Sequence, residues 1–544
     1  MKTESQQAAS ETQDILPENT MSTSEPKPTA TQEVTEAPTQ TEEAAETDRY
    51  TVWTPWQKRL IVAGAAICGF YNPLTAQMYM PALNKLAVEF HVTPAEINLT
   101  VTTYMVFQGI TPILFSGFTD AMGRRPGYII CFVVYLAANI SLALAHEYSH
   151  MLIIRCLQSA GSATIMVLSQ AVVADIITSA ERGKYVALTA IPSILGPSLG
   201  PVIGGALTKH LGWRSIFWFL TIGAGVNFAL LVTFLPETCR KVVGDGSIPP
   251  PPACRTLWQA VMPSKSGIQP NMSSLETADV RGEGKLKFAT RHLFSSFLLL
   301  RDLELVLLLC TGGIVFSGVY AIATAAPNLF HTLYGYDDLE VGLMYLPMAA
   351  GSLLAAFSVG PGMNWNYRRH ARRLGVPVDR TRRADLTDFP IEKVRLQLAL
   401  PLLVLGAGVL LSWGWVTNNR ADIEEVCALI FATGIGLVGV NTAINALIID
   451  LYPEKAGAAL AAYNMCKSLF GAAASGFVDP MIARMGLNWA FTLLSGLYLC
   501  FVPVLVLVMC RGMRWRTQRV ERERRRLDEP ARSSDESGGV VAVP

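Results

Sequence analysis

Long apolar blocks restrict this chain more than any other feature: residues 60–80, 305–326 and 493–510 are examples. Each approaches the roughly 20 residues that a helix needs to cross about 30 Å of hydrocarbon. Spans are expected near 60–80, 97–118, 127–146, 152–175, 184–208, 213–235, 303–330, 340–362, 395–416, 423–450, 456–479 and 488–510. The predicted fold class is therefore an all-α membrane protein with twelve transmembrane helices. Only 16% of residues are charged and 51% are hydrophobic, where a soluble chain would carry about a quarter charged.

Basic residues set the expected orientation. With the N-terminus cytoplasmic, inner loops carry Arg124, Arg125, Arg182, Lys184, Arg240 and Lys241. Arg368, Arg369, Arg372, Arg373, Arg380, Arg382 and Arg383 follow in the eighth connection, then a tail reading "RWRTQRVERERRR". Both termini are expected inside, and the first span serves for targeting because no basic-then-apolar leader precedes it. The first fifty residues hold eleven acids against three bases, which predicts a disordered acidic tail over 1–58. The polar stretch 239–301, with "SIPPPPAC", reads as a cytoplasmic linker between six-helix halves at 59–238 and 302–510, and 511–544 as a basic tail. A weak repeat relates the halves: "AVVADIITSAERG" and "ALIIDLYPEKAG" place Asp175 and Asp450 at matching positions, followed by Glu181–Arg182 and Glu454–Lys455. Parallel halves around a midplane site are a transporter plan.

Three stretches carry further information. "SGFTDAMGRRPG" offers Asp120, Gly123, Arg124 and Arg125 as a lock between helix ends, though charge alone fits an ordinary inner loop equally well. "LGPSLGPVIGGAL" supplies Gly196, Pro197, Gly200, Pro201, Gly204 and Gly205. Small residues four apart permit close backbone contact, and the doubled G-P-x-x-G points to bending or gating. "RCLQSAGSA" places Arg155 inside the fourth span with Gln158 one turn on. An intramembrane arginine is a functional candidate, with snorkelling to the headgroups as the alternative.

These stretches resemble the loop, fourth-helix and fifth-helix signatures of the major facilitator superfamily. With "SIFWFLTIGAG", "FLPET", "DFPIEKVRL" and "LIIDLYP", residues 55–510 are similar to its fungal twelve-helix drug:proton antiporter branch, which holds quinidine-resistance and citrate exporters. Departures are Ser116 and Ala121 in the loop, Ser159 after Gln158, and "GPGMNWNYRRH", which lacks the acid of its first-half counterpart. The resemblance implies a central cavity lined by helices one, four, seven and ten and flanked by two, five, eight and eleven. It also implies protons as candidate coupling ions.

Lys467 lies about eleven residues from either end of its span, roughly 16 Å of helix, too deep to snorkel. No carboxylate occupies the central third of a span, whereas Asn72, Gln108, Asn441 and Asn445 do. Two bases among amides suit a carboxylate substrate, because arginine forks onto a carboxylate and lysine supplies a point charge. The expected substrate site is Arg155, Lys467, Gln158, Asn441, Asn445, Gln108 and Asn72. The coupling candidates are Asp175, Asp450 and Lys467, since burial lets a lysine titrate. The expected function is plasma-membrane export of a small organic acid such as citrate or itaconate by a monomer, with proton antiport or passive release as energetic routes. A polyspecific drug or metabolite pump and a non-transporting sensor are the alternatives. No cofactor, metal or nucleic-acid partner is expected. His146, Glu147 and His150 only faintly resemble metal spacing, and the ten scattered cysteines suggest packing.

Overall fold

The computed structural model describes residues 51–177, 182–256, 300–375, 389–452 and 456–537. The expected acidic tail, most of the linker, Arg380, Arg382, Arg383 and the acid–base pairs containing Glu181 and Glu454 lie outside the described residues, as does the side chain of Asp120.

Among the described residues, twelve long helices follow one another. The first half holds α1 (Pro55–Met78), α2 (Pro94–Met122), α3 (Arg124–Ala143), α4 (Tyr148–Ile176), α5 (Arg182–Leu211) and α6 (Arg214–Phe234). The second holds α7 (Leu303–Leu329), α8 (Leu346–Leu374), α9 (Ile391–Asn418), α10 (Ile423–Leu451), α11 (456–485) and α12 (487–537). Local chemistry places their ends. Thr54 and Gln57 form a capping box ahead of α1, and Thr93 and Glu96 another ahead of α2, each with proline at the first helical position. Gly123 at φ +108° separates α2 from α3, and Gly486 at φ +81° separates α11 from α12. At both joints a side chain would be strained.

Nine helical stretches among the described residues are long and apolar enough to cross a membrane. One of them, 457–519, is the α11–α12 pair broken at Gly486, while α2 and α5 are 29 and 30 residues long. Spans and apolar blocks agree closely, but two helices outrun theirs. α8 continues to Leu374 and α12 to Ser537. Hydropathy falls in those extensions, yet Arg, Glu and Leu are good helix formers and the helix simply continues. Outward-facing Ile67, Leu114, Val133, Leu230, Phe357, Phe477 and Leu499 are exposed, an apolar surface of the kind a bilayer covers.

Short connections between successive helices make them run in opposite directions. The α2–α3 joint therefore lies at one end, here called the basic end, and the 335–345 connection at the other. Within the first half α1 packs on α5, α3 on α4 and α2 on α4; within the second, α9 packs on α12 and α8 on α10. The halves meet along α2–α11 and α5–α8. One apolar cluster, including Val62, Cys68, Tyr128, Phe132 and Val172, belongs to the first half alone. The other fills the second half and runs on into Met78, Leu83, Leu86, Trp213 and Phe217 of the first.

Candidate translocation site

The halves close on each other at the end opposite the basic one. Gly196, Gly200 and Gly204 follow at one-turn spacing along α5 and lie on α1. A Cβ on Gly196 would stand 2.8 Å from Pro73 Cβ, and one on Gly200 2.9 Å from Gln77 Cβ. On Gly204 it would stand 2.9 Å from Met78 Cα. Gly205 faces the short helix Asp338–Leu343 of the other half, where its Cβ would lie 3.1 Å from Leu339 Cα. The contact is reciprocal, since a Cβ on Gly342 would lie 3.1 Å from the Pro201 carbonyl carbon. Pro201 is buried here and Pro197 half-buried. Backbone touches backbone, a separation that only glycine allows.

Polar bonds ring this contact. Lys209 pairs with Asp337 at 2.5 Å, and Lys85 with Asp338 at 3.3 Å. Asn84 donates to the Pro327 carbonyl, and Asn98 on α2 donates to Asp479 on α11 at 2.6 Å. Exposed ion pairs contribute little, so glycine packing sets the spacing. The Lys209 hydrogen bond holds the Asp337 carboxyl below its ordinary value.

At the basic end, the ion pairs join helices of the same half. Arg124 Nε meets Asp175 at 2.8 Å, which brings a motif arginine onto a coupling candidate. Arg125 donates to the Leu231, Val232 and Leu235 carbonyls, capping the C-terminus of α6. Glu237, in "FLPET", accepts from the backbone N–H groups of Arg124, Arg125, Thr238 and Cys239. A Cβ on Gly123 would stand 2.6 Å from that carboxylate, a second requirement for glycine. The second half repeats the pair: Arg395 Nε meets Asp450 at 2.9 Å.

Between these ends sit the two intramembrane cations. Arg155 is 1% exposed, packed between the rings of Tyr79 and Tyr104 at 4.0 and 4.4 Å. It donates to Gln158, which donates to Asn139. Tyr104 leads on to Ser162 and Asn72, and Asn72 accepts from Gln108 at 2.8 Å. Among the described residues, nothing donates a hydrogen bond to the buried Oε1 atoms of Gln108 and Gln77. Beside Gln108, Gly109 touches α11, its Cβ position 3.0 Å from Ser468 Cβ.

Lys467 is half-buried on α11, its ammonium over the rings of Phe316 at 5.1 Å and Tyr463 at 5.5 Å. It has no ion-pair partner among the described residues. Tyr463 donates to Asn441, whose amide also donates to the Leu437 carbonyl. The Asn445 side chain, one turn on, is half-buried and makes no hydrogen bond among the described residues. Tyr320 lies tilted against Phe316, ring centres 4.6 Å apart, and accepts from Gln77 of the other half. A small apolar crevice, lined by Val315, Gly318, Leu402, Gly406 and Tyr498, carries no charged side chain.

A family model described as the Major Facilitator Superfamily matches residues 65–475. The chain belongs to that superfamily. Like the fungal proteins similar to it, this major facilitator protein is a multi-pass membrane transporter and not an enzyme. The MFS-type transporter phiD of a fungal species is 40% identical over 478 residues, covering 87% of this chain and 71% of phiD. The MFS-type transporter tstD of Talaromyces stipitatus is 35% identical, covering 90% and 88%. Citrate exporter 1 of Aspergillus niger is 30% identical, covering 88% and 91%. In fold, the human organic anion transporter MFSD10 (TETRAN) superposes with a TM-score of 0.51 at 17% identity, covering 83% of this chain and all of that one.

Sequence reasoning passed over the rings of Tyr79, Tyr104, Phe316, Tyr320 and Tyr463, because it does not fix the rotation of a helix. Nor does "FLPET" on its own reveal that Glu237 accepts at the start of a helix 113 residues earlier; the acid directly after a span is the available signal.

Proposed function

We propose that this transporter exports a small organic acid, citrate, itaconate or a similar di- or tricarboxylate, across the plasma membrane, with both termini cytoplasmic and protons as the counter-substrate. The observation that carries the proposal is Lys467: a cation about 16 Å along α11 that faces aromatic rings and no carboxylate. A unit charge 4 Å from such a group gains about 4 kcal/mol at an effective dielectric of 20, and a cationic cargo loses as much. Gln108, Asn72, Asn441 and Asn445 are the proposed polar contacts on the two facing halves. Arg155 is the second cation of the site, reached through Tyr104 and Asn72. Asp175 and Asp450 are the carboxylates proposed to exchange protons as their arginine pairs loosen. The similarity to a citrate exporter supports the same substrate class.

A second reading has its own observation. Phe316, Tyr320 and Tyr463 make one wall of the Lys467 environment aromatic, which suits a bulkier drug or metabolite with an apolar body. Labelled citrate uptake into inside-out proteoliposomes separates the two. Under the organic-acid proposal Lys467→Ala and Arg155→Ala both lose uptake. Normal uptake by both variants removes the organic-acid site, and uptake of hydrophobic cations in place of citrate establishes the second reading.

A further inference from the structure

Three acids and two arginines converge at the basic end of the second half. Arg519, on the extension of α12, reaches Asp302 at 2.6 Å and Glu304 at 3.3 Å and lies over the Tyr452 ring at 4.3 Å. The Tyr452 hydroxyl donates to Asp302. Arg516 donates to the Phe389 carbonyl, and its Nε stands 3.4 Å from Glu392 Oε1 without making a hydrogen bond. Glu304 on α7 and Glu392 on α9 are each 1% exposed. They close on one point: a Cβ on Gly512 would stand 2.8 Å from Glu392 Cγ and 3.1 Å from Glu304 Oε1.

Charge and hydrogen bonding are both incomplete here. Three carboxylates face two guanidiniums, and two of the three, Glu304 and Glu392, are buried while Asp302 keeps an edge in water. Among the described residues, Glu304 Oε1 and both carboxyl oxygens of Glu392 receive no hydrogen bond. A buried carboxylate without donors is disfavoured as the anion. One proton removes the surplus and supplies a donor, and two carboxyls forced together hold one proton between them for the same reason. The remaining groups around the pair do not change the count. Arg301, Lys393, Arg511 and Arg514 are exposed, and Arg395 is engaged with Asp450.

We propose that Glu304 and Glu392 form a proton-binding site that holds one proton between α7 and α9 beneath the α12 extension. The proton comes from water at this face. An O–H bond forms on one carboxyl, and its hydrogen is donated to an oxygen of the other. The junction is intact while the pair holds this proton. Deprotonation leaves two like charges facing each other and drives the ends of α7 and α9 apart.

Infrared spectroscopy of the full-length protein in lipid nanodiscs tests this without any transport measurement, so its failure is distinguishable from failure of the organic-acid proposal. The wild type at neutral pH is expected to show the carbonyl stretch of a protonated carboxyl. Glu304→Gln and Glu392→Gln are each expected to lose one carboxyl's worth of that band, and loss in either variant places the proton on the pair. A band undiminished in both overturns the proposal. So does a wild-type spectrum at neutral pH with no protonated-carboxyl band, which needs no variant to fold.

Discussion

Gly205→Ala puts a methyl group where the two halves touch. The new Cβ would lie 3.1 Å from Leu339 Cα and 3.2 Å from the Asp338 carbonyl carbon, and it would press hardest on the Asp338 carbonyl oxygen. All three are backbone atoms and cannot rotate away as a side chain could. Overpacking of this kind costs about 1–3 kcal/mol. Because the partner belongs to the other half, the cost falls only on the conformation in which this end is closed. The equilibrium between closed and open forms should therefore shift by about 5- to 150-fold towards opening. Spin labels on cysteines replacing the exposed Val88 and Leu343 report the separation of the halves at this end by pulsed electron resonance. A longer distance should appear in Gly205→Ala. Gly204→Ala presses on Met78 of α1 within its own half, so it should lower the melting temperature and leave the distance distribution alone. Gly225→Ala, with nothing within 4 Å of its Cβ, should change neither. An unchanged distribution in Gly205→Ala, or the same change in Gly204→Ala, would refute the reasoning.

The Glu237 carboxylate accepts four backbone N–H groups, and bonds to a charged group contribute about 1.5–3 kcal/mol each before overlap is counted. Glu237→Ala should lower the thermal midpoint of the purified protein clearly, with Glu237→Gln intermediate. Removing Arg395 leaves Asp450 uncompensated, a loss of about 3–5 kcal/mol for a buried pair and less at this half-buried one. The double change Arg395→Ala, Asp450→Asn should recover part of that loss in the same melting assay, and strict additivity would argue against the pairing. Asp337 titrates below its ordinary value of 3.8 because Lys209 donates to it. A carboxyl depressed in the folded state contributes above its unfolded pKa and loses that contribution as pH falls through the folded one. The melting temperature should therefore be flat through neutral pH and lose only a small contribution in acid below about pH 4, a contribution that Asp337→Asn should abolish, while the Val88–Leu343 label distance, set by glycine packing, stays unchanged.

Much of the architecture was legible because a membrane helix announces itself by composition. The apolar blocks located the spans, and the α5 glycines marked close packing before their partners on α1 and the 338–343 helix were visible. Lys467 and Arg155 stood out because charge inside an apolar block has few innocent explanations. What escaped were relations set by rotation and by distance along the chain. The rings around Arg155 and Lys467 look like any other aromatic residues in apolar sequence. Glu304 and Glu392 sit at the starts of helices, where an acid looks like ordinary flank. Arg516 and Arg519 belong to a stretch whose basic character reads as a tail, and only the continuation of α12 brings them onto those acids.

Gly123 and Gly486 each join two membrane-length helices through a single residue, one joint on either face. A connection that short leaves no slack. α2 and α11 touch across the halves, so any displacement they make is handed to α3 and α12, whose Ile130, Val133, Leu493 and Leu499 are exposed on the outer surface. Transport then does mechanical work on the surrounding lipid. Its rate should follow the acyl-chain length of the host bilayer, because each ångström of mismatch adds a fraction of a kcal/mol to the step.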